Sequence, residues 1–139
     1  MLVVLRSDAK AVTHVYAAPG EYRVAIWGDM GQFGFGVPDW RTKDDCKKLV
    51  DIVQWGCVQL TQTGYQFYEC RMLGRLSARD VPDLSGVTNM TGIFRGASSF
   101  QADLSAWDVS GVTSMDCMFY GASSFLDSHR PNRIRRAPQ

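Results

Sequence analysis

The chain is poor in histidine: among its 139 residues only His14 and His129 occur. Neither has the serine or cysteine context of a nucleophile motif, and no Gly-x-Ser-x-Gly is present, so no enzyme is expected and no catalytic residue is assigned. No apolar run approaches the roughly 20 residues of a membrane span, and membrane insertion by this chain is not expected. Charge of one sign is missing as well. A formal net charge of +1 gives no global field to draw in nucleic acid or acidic membranes, and nucleic acid is not expected as a partner. Cysteine is scarce and spread out. Cys46, Cys57, Cys70 and Cys117 are separated by 11, 13 and 47 positions, so no Cys-x-x-Cys knuckle exists. Zinc favours ligands paired at short spacing, and neither a metal nor a cofactor is expected. Buried, unbridged thiols are the expected state, because cysteine packs as a small hydrophobe. A disulfide in an oxidising compartment is the alternative.

What is present is enough for folding, since 45% of the residues are hydrophobic. Residues 1–41 read as a β-hairpin and a Gly-rich connector. Val12 to Tyr16 and Tyr22 to Trp27 have strand-like composition around Ala17-Ala18-Pro19-Gly20, a turn signal. The run Gly28-Asp29-Met30-Gly31-Gln32-Phe33-Gly34-Phe35-Gly36 lacks a Gly-Lys-Ser/Thr ending, so it reads as a turn-rich connector whose phenylalanines enter the core. Residues 42–56 read as an amphipathic lead-in helix. Thr42 caps it with Asp45 three positions on, Cys46, Leu49, Val50 and Val53 line one face, and Gly56 stops it.

A duplication dominates residues 57–125. Aligning Pro82–Phe100 with Trp107–Phe125, at an offset of 25, gives 12 identities in 19 positions, too many for chance. A fainter upstream copy sets Trp55, Phe67 and Cys70 against Trp107, Phe119 and Ala122, with 27 residues from Phe67 to Phe94. Within one copy, Trp107, Val109 and Val112 suit an extended segment. Met115, Met118 and Phe119 suit a helical turn ended by Gly121. One copy cannot bury its apolar face alone, whereas stacked copies can. The fold class expected is therefore α/β: a short repeat solenoid, leucine-rich-repeat-like, with short strands and helical turns, preceded by the hairpin and the amphipathic helix. Residues 126–139 read as a disordered basic tail.

The phrase Leu104-Ser105-Ala106-Trp107-Asp108-Val109-Ser110-Gly111-Val112-Thr113-Ser114-Met115, followed by Met118-Phe119-Tyr120-Gly121-Ala122-Ser123-Ser124-Phe125, resembles the roughly 25-residue repeat of BspA-like leucine-rich-type surface proteins. That repeat also defines a domain of unknown function first noted in mycoplasma lipoproteins. Softer likeness extends upstream through Leu49 to Gly56 and Thr13 to Val24. The resemblance implies display at the cell surface or secretion, and binding or adhesion to an extracellular protein or glycan. It supplies no catalytic residues. The apolar opening Met1 to Leu5 is too short for a signal h-region, so the surface address rests on the resemblance.

The candidate partner-binding residues are Arg95 and Tyr120. They occupy one aligned position that varies between copies, and varying positions on repeats face solvent. Asp83 and Asp108, equivalent carboxylates, are expected to bond backbone amides of their own turns, with a cation ladder as the alternative. Asn89-Met90-Thr91 is a glycosylation sequon, relevant only on a eukaryotic secretory route. The function expected is a non-enzymatic surface protein, or fragment of one, that binds protein or glycan. A structural spacer in a larger surface protein, with no binding site of its own, is the alternative.

Overall fold

The computed structural model describes residues 2–6, 15–27, 32–35 and 45–128. The chain forms two compact units, Met1–Gly31 and Gln32–Gln139. In the first unit, β1 (Leu2–Arg6) runs parallel to β2 (Arg23–Trp27), with Leu2 opposite Arg23 and Arg6 opposite Trp27. The expected hairpin is thereby corrected. The Tyr22–Trp27 run does supply a strand, but its partner is β1. Val15 and Tyr16 lie in no strand, and Val12 to His14 fall outside the described residues. Parallel pairing needs a connection of about a dozen residues or more, which the stretch between β1 and β2 provides. The turn at Ala17 to Gly20 works locally instead. It brings the Tyr22 ring 4.4 Å from that of Tyr16, and the Tyr22 hydroxyl donates to the Ala18 carbonyl at 2.7 Å.

The second unit contains few regular elements. β3 (Gln32–Phe33), β4 (Asp51–Ile52), β5 (Gln59–Leu60) and β6 (Arg75–Leu76) are two residues each, paired in parallel as β3 with β5 and β4 with β6. A 310 turn spans Cys46–Lys48, and one helix, α1, spans Ser123–Ser128. Of the Gly-rich connector, Gly28 to Gly31 and Gly36 lie outside the described residues, while Phe33 and Phe35 pack half-buried against the core. Helix α1 enters the segment expected as a loose tail, of which residues 129–139 are not described.

Two further corrections follow. No amphipathic helix occupies 45–56, and Thr42 to Asp44 are outside the described residues. Asp45 makes no side-chain cap, and the chain turns extended at Leu49, with φ −70° and ψ 122°. Val50, Ile52 and Val53 are β-branched and favour strand over helix. The Val50 and Ile52 carbonyls accept from Gly74 (3.1 Å) and Ala78 (3.0 Å), and Val53 is left exposed. Nor does a solenoid of regular strands and helical turns form among the described residues: the regular elements of the second unit are the two short strand pairs, the 310 turn and the lone helix. Each copy carries left-handed residues at the same two points. They are Tyr65 (φ 56°) and Glu69 (57°), Gly92 (60°) and Gly96 (76°), and Cys117 (53°) and Gly121 (75°). A left-handed residue inside Met115 to Phe119 ends any helical run there. Meanwhile Asp83, Asp103 and Asp108 each accept from the amide two residues on, at 2.9, 2.8 and 3.0 Å, closing local turns where a strand was expected.

The copies are nevertheless bonded to one another. The N–H groups of Tyr65, Phe67 and Glu69 donate to the carbonyls of Thr91, Ile93 and Arg95 at 2.8–2.9 Å. Those of Met90, Gly92, Phe94 and Gly96 donate to Ser114, Asp116, Met118 and Tyr120 at 2.8–3.0 Å. Equivalent side chains therefore fall in line. The Phe67 and Phe94 rings stack at 5.7 Å, and those of Phe94 and Phe119 at 5.9 Å. Phe100 and Phe125 form a second line, 4.0 Å from Phe94 and 4.1 Å from Phe119 respectively. Where the middle copy has buried Pro82 in place of tryptophan, Trp55 and Trp107 meet edge to face at 5.7 Å. This aromatic interior is the core of the second unit.

Candidate binding surface around Arg95 and Tyr120

The residue after each stacked phenylalanine, Tyr68, Arg95 or Tyr120, sits at the outer edge of the inter-copy bonding. Its backbone is fixed. The Arg95 N–H donates to Gly92 (3.0 Å) and its carbonyl accepts from Glu69 (2.8 Å), while the Tyr120 carbonyl accepts from Gly96 (2.8 Å). With the phenylalanine turned inward, the neighbouring side chain is turned outward. Tyr120 is 66% exposed. The Arg95 guanidinium carbon lies 4.9 Å from the centroid of its ring, a cation–π contact between adjacent copies. The two sequence-predicted residues are thus brought together and leave an aromatic face open to solvent.

Two tyrosines that the sequence reading passed over flank this pair. Tyr68 holds the position of Arg95 one copy earlier, and its ring meets that of Tyr65 edge on at 5.7 Å. Tyr65 in turn lies over Gly92, where a Cβ would come 2.5 Å from a Tyr65 ring carbon. The glycine therefore admits the tyrosine of the preceding copy. The 27-residue offset from Phe67 to Phe94 was the signal that would have placed Tyr68 in this row. Glu69, lying against Gly96, pairs with Arg71 at 2.6 Å, which leaves Arg95 as the cation turned to the tyrosine.

The carboxylates have local roles. Asp83 and Asp108 are each held below the usual carboxylate range by the hydroxyl and amide of Ser85 and Ser110. Burial pushes Asp51 upward, but the Ser77 hydroxyl and amide and Arg75 outweigh it and hold the group low. The Asp80 carboxylate accepts from the N–H of Trp55 (3.0 Å) and of Gly56 (2.7 Å), which lowers it too. Among the described residues no group of three His, Cys, Asp or Glu side chains could hold a metal ion. His14 and His129 are outside them. In the sequon, the Asn89 side chain accepts from the Thr91 amide (2.9 Å), and the Thr91 hydroxyl bonds that of Ser114 (2.7 Å). A polar depression of about 90 Å³ beside Gln32, Gln59, Gln62 and Asp83 is small against the several hundred Å³ of a typical ligand pocket. No helix among the described residues is long and apolar enough to cross a membrane.

Duplicated sequence, backbone bonds from copy to copy and an outward row of variable residues define a tandem-copy protein with an aromatic interior. The chain belongs to the family described as Mycoplasma protein of unknown function, DUF285, whose model matches residues 41–133. No curated protein and no solved structure matches it.

Proposed function

We propose that the chain is a non-enzymatic, surface-displayed binding module of the BspA-like kind, engaging an extracellular protein or glycan through the row that holds Arg95 and Tyr120. The observation that carries this is the exposed Tyr120 ring with the Arg95 guanidinium against it. Tyrosine and arginine supply a disproportionate share of binding energy at protein interfaces, because each offers a large, stiff contact surface with a polar end. A tyrosine face also suits the apolar face of a sugar ring. The row is carried on backbone that is hydrogen-bonded on either side, so little order must be gained on binding.

The test is a glycan array and a panel of extracellular proteins, probed with the full chain and with Arg95→Ala and Tyr120→Ala. A partner should be found, and each substitution should weaken it by about tenfold or more with the melting temperature unchanged. Binding that survives both substitutions would remove this row from the account. A chain that binds nothing on either platform would favour a spacer within a larger surface protein.

A further inference from the structure

We propose that Cys46 and Cys70 are a cross-linking site: folding in an oxidising compartment joins them in a disulfide that fastens the lead-in segment to the first copy. The placement follows from a neighbouring strand pair and a shared core. β4 pairs with β6 as Asp51 opposite Arg75 and Ile52 opposite Leu76, and the Gly74 N–H donates to the Val50 carbonyl. Each of these pairs has an offset of 24, and so have Cys46 and Cys70. Cys46 opens the 310 turn four residues before Val50, and Cys70 lies in the turn four residues before Gly74, so both enter the core beside the same end of this pairing. Both are 0% exposed within one core, and Cys46 is among the groups that act on the Cys70 thiol. Cys57 and Cys117 are exposed.

The oxidant required is a disulfide of the glutathione class, or an oxidoreductase bearing one. A thiolate of the pair attacks that disulfide, forms a mixed disulfide and releases one thiol. The second cysteine then attacks the mixed disulfide and releases the other. Two protons and two electrons leave the protein, and the oxidant's S–S bond becomes two thiols. Burial pushes both cysteines above their ordinary value, keeping them as unreactive thiols once packed. The exchange therefore belongs to the folding chain rather than to the finished core. Once closed, the bridge restrains the unfolded chain over a loop of about 25 residues, which for a unit of this size raises the thermal midpoint by about 10 °C or more.

The experiment refolds the reduced, denatured full chain in a buffer of glutathione and glutathione disulfide, traps the thiols by alkylation and maps the peptides. A sample oxidised in denaturant serves as the unstructured reference. The Cys46–Cys70 peptide should be the dominant cross-link after refolding and a minor one in the reference. Reduction should lower the melting midpoint by about 10 °C or more. The variant Cys57→Ser/Cys117→Ser, which leaves the pair intact, should behave alike. A refolded product in which Cys46–Cys70 is absent, or no more abundant than in the reference, overturns the proposal, as does a dominant bridge to Cys57 or Cys117.

Discussion

Replacing Phe94 by alanine removes the ring at the centre of the aromatic interior. Phe94 is 0% exposed and touches four rings: Phe100 at 4.0 Å, Phe67 at 5.7 Å, Phe119 at 5.9 Å and Trp107 at 6.0 Å. Lost burial accounts for about 2 kcal/mol. The closest ring pair adds about 1 kcal/mol beyond area. The cavity left among stiff rings brings the total to about 4 kcal/mol, in the middle of the range for such truncations. Against about 5–10 kcal/mol of total stability for a unit of this size, that is a large fraction. The assay is urea unfolding followed by tryptophan fluorescence, since Trp55 and Trp107 belong to the same core. The midpoint should fall by about 2 M or more. Phe119→Ala, at a half-buried ring with nothing stacked beyond it but Phe125 of its own copy, should cost about half as much. If Phe94→Ala cost no more than the exposed Tyr120→Ala, the copies would not share one interior, and the reasoning would fail.

Other consequences can be checked in the same way. Gly92→Ala places a Cβ at φ +60°, 2.5 Å from the Tyr65 ring, and should cost more than about 1 kcal/mol; adding Tyr65→Ala should return the steric part, and a wild-type melt for Gly92→Ala would refute the close approach. The Asp80 carboxylate is lowered by the Trp55 and Gly56 amides. Its contribution is therefore complete above the ordinary carboxylate value of about 3.9 and is lost as pH falls through the lowered folded value. Thermal melts from pH 7 to pH 2 should show a stability loss in that acid window that is smaller in Asp80→Asn. The same substitution should cost about 1 kcal/mol at pH 7, a figure already reduced for solvent exposure. Identical acid profiles for the two chains would contradict this.

Much of the second unit was legible because duplication reports on structure through difference as well as identity. The alignment of Phe94 with Phe119 by identity, and of Phe67 by its spacing from Trp55, corresponds to rings that stack. The variable position singled out next to that row holds the half-buried Arg95 and the exposed Tyr120, which meet. The turn role expected of Asp83 and Asp108 is the one they have. What misled was periodicity over short stretches. Cys46, Leu49, Val50 and Val53 are spaced for a helix, yet the β-branched run beside them pairs with the distant β6, a contact that local spacing cannot register. Met115, Met118 and Phe119 are also spaced for a helix, but Cys117 between them is left-handed. The clue was its alignment with Gly92, a residue type that tolerates that conformation. The partner of β2 was hidden for another reason. The Ala17 to Gly20 turn favours a hairpin, while β1 lies a long way back in the chain.

The central claim, that copies are held by backbone bonds running from one to the next, is tested most directly by amide hydrogen exchange resolved by residue. The N–H groups of Met90, Gly92, Phe94 and Gly96 have acceptors in the following copy. The aligned N–H groups of Met115, Cys117, Phe119 and Gly121 have no backbone acceptor among the described residues. The account predicts slow exchange in the first set and exchange faster by about tenfold or more in the second, at the same positions of nearly the same sequence. Equal rates in the two sets would contradict it.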